Sequence, residues 1–506
     1  MEKDLILTLD SGTTGCKCTV FNASGEALVS VAREYPTEYP RPNYAEQSPE
    51  KILAAVIDGI RELMQQVSPQ RIACIGLSGT MNGCIAVDED GNALYPNIIH
   101  SDSRAEKQVE RMLKVISAAD FYRLTGNRAN SHFTLPKMMW LKEKKPEIYS
   151  KARWFLNIKD YLYARITGRV GYTDYSDASL TAALDINRRA WADELIRGVG
   201  LEPERMPRLI VSHDVHGKTT RDFYRATGII AGTPVSIGGG DGACTARGAG
   251  VDAPGSAYTY IGSSAWVSMI MEEPMMDPRM RILNYLDLDG QKCNITGTVQ
   301  CGAAAFNWAL GNLLGESAGA AKISEVENMA RQIAPGADGV LFLPTLMGWR
   351  TPYWDPNTKG VLMGFSLYHD RRHIARAVYE GIAFALNSCA EVMRENGAPI
   401  NSMMLTGGGA RSGLWPDMLA SIYGIRTTVH RTPGETTSLG AAIAAGVGVG
   451  LFKDYAAAAA TVGIRSEHPV NAEWQKAYEK TYAIYADIYE QVKPLNDRIA
   501  QLKAGE

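Results

Sequence analysis

The run Gly238-Gly239-Gly240-Asp241-Gly242-Ala243 constrains this chain more than any other stretch. A short apolar strand, Pro234-Val235-Ser236-Ile237, leads straight into three glycines and one acid, and a helix-like run from Cys244 to Gly250 follows. Glycine has no Cβ, so such a turn lets backbone amides approach a ligand closely and leaves the carboxylate uncovered. An Asp at a strand end, ahead of a helix, is well placed to take a proton from a hydroxyl. The same residues also read as a loose loop with a capping Asp, because a glycine run alone does not discriminate. The rest of the chain has to decide between the two.

A length of 506 residues is too great for one core and predicts two or more domains. Hydrophobic content of 45% and charged content of 21% are those of a globular protein. The net charge is −3 and no basic block occurs, which argues against nucleic acid or an anionic membrane surface as a partner. The eight cysteines are scattered; only Cys16 and Cys18 sit close, at a spacing that is neither a zinc knuckle nor a redox pair. Reduced thiols in a cytoplasmic enzyme are the expectation. The N-terminus, Met1-Glu2-Lys3-Asp4, enters a strand at once without a signal-peptide pattern, and the small-residue stretch Ala441 to Gly450 is too short to span a bilayer.

Leu5 to Leu9 is β-rich and ends in Asp10-Ser11-Gly12-Thr13-Thr14-Gly15, after which Cys18 to Phe21 reads as a second strand. This is a hairpin with an acid, glycines and hydroxyls at its turn. It is not a P-loop, but its amides could cradle phosphate as a backbone nest, with Lys17 just beyond. An ordinary hairpin turn is the alternative. Ala257 to Ile261, then Gly262-Ser263-Ser264, then Ala265 to Ile270 repeat that layout in the second half. A duplicated hairpin suggests two similar α/β domains facing each other across a cleft.

Between them, Ser48-Pro49 opens a helix, and Ile72 to Ser78 is a buried-looking strand ending in Gly79-Thr80-Met81-Asn82-Gly83. Ile85 to Val87, with the turn Asp88 to Gly91, predicts a further hairpin. Asn97 to His100 ends at Ser101-Asp102-Ser103-Arg104, where an acid and an arginine could grip sugar hydroxyls or simply cap the next helix. Residues 105–191 read as largely helical. Thr296 to Gly302 leads into another helix, and Met347 to Gly360 is an irregular loop around Arg350. Ile374 to Arg394 is a strong amphipathic helix. Ser402 to Thr406 ends at Gly407-Gly408-Gly409-Ala410-Arg411-Ser412, a turn bare enough for a flat ring to lie against.

Taken together these stretches resemble the FGGY carbohydrate kinases nearly end to end. Asp10 to Gly15 is similar to the family's first phosphate loop and Gly262-Ser263-Ser264 to its second. Thr134 to Trp140 resembles one family signature, and Gly360 to Phe365 with His373 to Glu380 resembles the other. Gly239-Gly240-Asp241 looks like the catalytic-base turn and Gly407 to Ser412 like the adenosine turn.

The resemblance implies an α/β fold of two actin-like (ribonuclease-H-like) domains, residues 1–250 and 251–506, with the active site in the cleft between them. It implies transfer of the γ-phosphoryl group of ATP to a sugar or polyol hydroxyl. By the same resemblance Asp241 is the general base, and Asp10 with Asp241 holds Mg²⁺. Gly12, Thr13, Thr14 and Lys17, with Gly262, Ser263, Ser264 and Gly302, line the phosphate path. Gly408, Gly409, Ala410 and Ser412 take the nucleoside. Thr80, Met81, Asn82, Asp102, Arg104 and Asp241 surround the sugar.

Within the family the substrate turns are most similar to those of xylulokinases, which points to D-xylulose. Thr80 and Asn82 depart from the Gln and His of that pattern, so ribulose, gluconate and pentitols stay open. The partners expected are a small sugar or polyol and a second copy of the chain as a possible homodimer. Two other classes are kept: a sugar-responsive binding protein without catalysis, and an actin-like ATPase that hydrolyses ATP with no acceptor.

Overall fold

The computed structural model describes residues 3–315 and 319–504; Met1 and Glu2, read above as the lead into the first strand, lie outside them. Leu5-Ile6-Leu7-Thr8-Leu9 is apolar at nearly every position, as suits a strand covered on both faces. It forms β1 (Leu5–Ser11), which hairpins to β2 (Gly15–Asn22) and on to β3 (Ala27–Glu34). Helix α1 (Pro49–Leu63) starts where the Ser48 hydroxyl accepts the Lys51 amide at 3.2 Å, with Pro49 in the first position.

The wholly buried β4 (Ile72–Gly79) runs parallel to β1. Helix α2 (Thr134–Lys144) lies within the helical region, after the helices Glu106–Val115 and Ala118–Thr125. Then β5 (Gly217–Lys218), β6 (Pro234–Val235) and β7 (Gly239–Gly240) complete a seven-stranded sheet of order β5-β6-β4-β1-β2-β3, with β7 beside β4. Helix α3 (Asp241–Gly248) follows without a linker.

The second half repeats the plan. β8 (Ser256–Ile261) hairpins to β9 (Ala265–Met271), and β10 (Leu283–Leu286) and β11 (Cys293–Val299) extend that side. On the other side β12 (Ser402–Thr406) lies parallel to β8 and is followed by β13 (Thr427–His430) and β14 (Ile464–His468). The order is β10-β11-β9-β8-β12-β13-β14. Each sheet thus has an antiparallel hairpin beside a strand parallel to the hairpin's first arm, so the repeat in sequence is a repeat in topology. The two-domain α/β fold is the expected one.

Three more helices complete the frame: α4 (Arg371–Glu395), α5 (Thr436–Gly448) and α6 (Ala472–Ala504). Two helices change sides. Ala246 and Ala249, in and just beyond α3, pack with Tyr258 and Ile270 of the second sheet. Leu439 and Ala441 to Ala445 of α5 pack into the core that holds Ile6 and Phe21 of the first. A Cβ at Gly440 would overlap the Cys244 carbonyl oxygen, one at Gly248 that of Thr436, and one at Gly76 that of Ala441. Bare backbone at these positions is what lets α3, α5 and β4 pass at close range. Helix packing therefore crosses the boundary expected at residue 250.

One expected pairing is different. Ile85–Val87 does turn back through Asp88 to Gly91, where Leu94 N donates to Ala86 O at 2.8 Å and Val87 bridges Ala93, but its ladder partner is Trp154–Leu156. Both short strands are apolar, and the longer-range partner buries them more completely. Among the described residues no helix is long and apolar enough to cross a membrane, and all eight cysteines are buried and unpaired.

Candidate active site

A cavity of ≈ 250 Å³ lies between the two sheets and draws its walls from both. Thr13, Thr80, Met81, Asn82 and Asp241 come from the first half, and Ser264, Trp266, Thr298 and Arg350 from the second. The two hairpin turns, so far apart in the chain, face one space.

Asp241 is the first residue of α3 and one of its oxygens accepts the Gly242 amide at 2.8 Å. The turn before it is held from below. Gly240 N donates to Ser176 Oγ at 2.9 Å, and Ser176 in turn donates to Asp174 at 2.5 Å. Gly238 has φ +67°, and a Cβ at Gly240 would overlap the Met81 side chain. The triple glycine is therefore a packed turn, not a loose loop. Burial, and then the charge of Asp10, push the Asp241 carboxyl up to about 7. Asp10 sits near the end of β1, where burial raises it to about 6 while Lys17 pulls it back. A carboxylate poised near neutrality is suited to accept a proton.

At the first turn Gly12 N donates to Gly15 O at 2.9 Å. Gln47 holds the Thr13 carbonyl at 2.7 Å and Tyr35 that of Gly12 at 2.5 Å, leaving the Thr13 side chain on the cavity and Thr14 exposed. At the second, Gly262 N donates to Ser264 O at 3.0 Å and Gly302 N to Ser263 O at 2.9 Å, with both serines exposed. Lys17 is drawn aside: its ammonium donates to Gly434 O at 2.6 Å and pairs with Glu435 at 3.2 Å, beside Asp10.

The glycine turn after β12 divides in two. Gly407 has φ +80°, Gly408 is exposed with open space where a Cβ would lie, and Gly409 lies against Ile261. Ala410 is buried and its carbonyl accepts from Arg465 at 2.9 Å. The Ser412 hydroxyl donates to Glu327 at 2.7 Å and accepts the Leu414 and Trp415 amides. Gly408 and Gly409 offer bare backbone; the Ala410 carbonyl and the Ser412 side chain are committed to the fold.

Of the residues expected around the sugar, Thr80, Met81 and Asn82 line the cavity. Asn82 has φ +67°, and its buried Oδ1 has no hydrogen-bond partner among the described residues. Asp102 and Arg104 are not brought there. Their side chains are fully buried and paired at 2.7 Å, with Glu46 on the guanidinium at 2.7 Å and Tyr44 stacked 3.8 Å from it. Asp102 also accepts the Ala45 amide at 2.6 Å. This pair ties two loops together and has no face left for a sugar.

The cavity also contains residues with no role assigned above: His100, His132, Thr298, Trp266 and Arg350. Burial first, and then the positive charges of Lys137 and Arg350, lower both histidines to about 4, so they are neutral at physiological pH. Lys137 lies in the quoted signature and His100 beside Ser101-Asp102, so the sequence marked their neighbourhoods. Linear order does not reveal which loop side chains turn inward.

The comparisons agree with this geometry. The N-terminal domain model of the FGGY family of carbohydrate kinases matches residues 5–248, and its C-terminal domain model matches residues 257–449. The chain is 31% identical over 503 residues to a protein named xylulose kinase from Bacillus subtilis (strain 168), covering 98% of this chain and 99% of that one. A ligand-bound xylulose kinase from Lactobacillus acidophilus superposes with a TM-score of 0.91 at 26% identity, covering 98% of this chain and 99% of that one. A gluconate kinase from the same organism gives 0.90 at 27%, covering 96% and 98%. With both domain models matched in order and the two hairpin turns and Asp241 on one cavity, the chain belongs to the FGGY family of carbohydrate kinases.

Proposed function

We propose that this protein transfers the γ-phosphoryl group of ATP to a hydroxyl of an open-chain, ketopentose-sized carbohydrate, with Asp241 as the general base. The observation that carries the reading is the meeting of Thr13, Ser264 and Asp241 on one small cavity. The hydroxyl-rich turns hold the triphosphate from both sides, and the substrate hydroxyl lies against Asp241. Its oxygen bonds to the γ-phosphorus, the bond from that phosphorus to the bridging oxygen breaks, ADP leaves, and the hydroxyl proton passes to the Asp241 carboxylate. Positioning and charge neutralisation carry most of such a reaction.

Asp10 and Asp241 are a carboxylate pair close enough for one to raise the other, a donor set that fits Mg²⁺. When bound, Mg²⁺ neutralises charge on the phosphate oxygens. Exclusion of water by closure of the two halves keeps ATP from hydrolysis. A reducing compartment, the cytoplasm, suits the eight buried free cysteines.

Xylulose is the first acceptor to test, because relatives over the whole chain are named for it. A sugar acid is the second, because Arg350 lines the cavity and a similar structure is a gluconate kinase. A coupled ADP-release assay across ketopentoses, pentitols and sugar acids tests the reading. Acceptor-dependent ADP release lost in Asp241→Ala is the expected result, whereas ATP hydrolysis with no acceptor dependence refutes it.

A further inference from the structure

Lys159 stands in the first turn of the helix Ile158–Thr167 and is fully buried. A cation there opposes the helix dipole, and a buried charge is costly unless it is paired. Its ammonium lies 2.5 Å from Asp160, 2.8 Å from Asp174 and 3.2 Å from Asp177, all three buried. Burial lowers the ammonium, but the three acids more than offset that and raise it well above its ordinary value. Burial also pushes the Asp177 carboxyl well up, and neither of its oxygens accepts a hydrogen bond from a described residue. Asp160 serves its own helix, accepting the Asn157 amide at 3.3 Å. Asp174 leads elsewhere.

One oxygen of Asp174 faces the lysine, and the other accepts two hydroxyls, Ser176 Oγ at 2.5 Å and Ser212 Oγ at 2.8 Å. A serine hydroxyl has a single proton. With that proton on Asp174, Ser176 Oγ is left to accept, and it accepts Gly240 N at 2.9 Å. The Ser212 carbonyl oxygen accepts Gly238 N at 2.9 Å and the Ser236 hydroxyl at 2.5 Å. The two amides that flank Gly239 are thus both fixed through one carboxylate. The same lysine also backs the neighbouring strand: Gly240 pairs with Gly79, where a Cβ would come within 3.2 Å of Lys159 Cβ. Asp174 does cap the one-turn helix Tyr175–Ser179, accepting the Ser176 amide at 2.8 Å. A cap needs neither a buried lysine nor Ser212.

We propose that the chain Lys159–Asp174–Ser176 is the positioning device of the phosphoryl transfer, holding the backbone of the glycine turn so that Asp241 meets the acceptor hydroxyl. None of the three touches the reacting atoms; each acts through the next. The inference rests on the kinase reading, in which Asp241 is the base, and adds the groups that set its place.

The test is coupled ADP release by the full chain with the best acceptor among xylulose, xylitol and gluconate, each rate normalised to the folded fraction from a thermal melt. Ser176→Ala should lower kcat about 10- to 100-fold, since a small displacement of a reacting group costs up to about 10²-fold. The KM values for ATP and acceptor should stay within about twofold, because the groups that bind them are untouched. The pH at which kcat/KM rises should also fall by about half a pH unit or more, as the loosened turn lets water reach a carboxyl that burial and Asp10 hold up. Asp174→Asn, which keeps the shape of the anchor and breaks its charge pair with Lys159, should give the same signature. A purely structural role predicts otherwise: a lower melting temperature with kcat per folded molecule and the pH profile unmoved. That result in Ser176→Ala overturns this inference alone. No acceptor-dependent ADP release from the wild type overturns the kinase reading and this inference with it.

Discussion

Lys137 Nζ donates to the carbonyl oxygen of Asn82 at 2.6 Å, and to those of Ile99 and His132 at 2.8 and 2.7 Å. One side chain of α2 thus ties three cavity-forming segments together. Burial lowers this lysine to about 7, yet three carbonyl acceptors match the three protons of an ammonium, so the geometry holds it charged.

Lys137→Met should therefore loosen the acceptor site without touching the nucleotide turns. The expected result is a 10- to 100-fold drop in kcat/KM for the acceptor, through KM, in line with the loss of about 1.5–3 kcal/mol per charged hydrogen bond. The KM for ATP should stay within about twofold, far below that loss. Steady-state kinetics with each substrate varied separately reads both, and an unchanged acceptor KM would refute the positioning role.

Asp241 links activity to pH in one direction and stability in the other. As the proposed base it must be ionised, so kcat/KM of the free enzyme should climb as pH rises through about 7 and then level. Asp241→Asn should lose about 10²- to 10⁴-fold in rate. Because the folded carboxyl is raised above its unfolded value, the folded state binds more protons between the ordinary carboxylate range and about 7. Its contribution to stability is fully present below that window and is lost as pH rises through it. The melting temperature of Asp241→Asn should accordingly exceed that of wild type by more at pH 8 than at pH 5, as thermal melts across that range would show.

The Asp102–Arg104 pair separates structural from substrate roles. Asp102→Asn leaves the buried guanidinium with Glu46 alone, and removing one partner of a buried pair costs about 3–5 kcal/mol. Denaturant unfolding should register that loss, while the acceptor KM of the folded enzyme stays at the wild-type value. A large rise in KM at unchanged stability would return the pair to the sugar site.

Gly440 offers a test of the exchanged helices. Alanine there gains up to about 1 kcal/mol in helix propensity, but its methyl overlaps the Cys244 backbone, and such overpacking costs about 1–3 kcal/mol or more. A net loss of stability is expected for Gly440→Ala. Stabilisation would mean that α3 and α5 are free to separate.

How much was legible beforehand follows the range of the interactions. Strand periodicity, the Ser48-Pro49 cap and the two glycine-and-hydroxyl hairpins act within a few residues, so they could be read from the order of amino acids. The acid at 241 stood out only beside the other glycine-and-hydroxyl turns of the chain, since a glycine run alone does not discriminate. Asp102 and Arg104 carried the same kind of signal, an acid and a base at a strand end, yet Glu46 and Tyr44 arrive from another loop and close over them. His100, His132 and Arg350 carried almost none, since facing a cavity depends on walls built elsewhere in the chain.

By itself, then, the sequence determined the elements, the duplicated plan and the residues able to handle a phosphate and a proton, all properties of short segments. Only the tertiary structure decided which polar groups remain without a partner, because that depends on what packs against them. The fold satisfies Arg104 with carboxylates and, among the described residues, leaves Arg350 on the cavity without a carboxylate partner, and no local pattern distinguishes the two arginines.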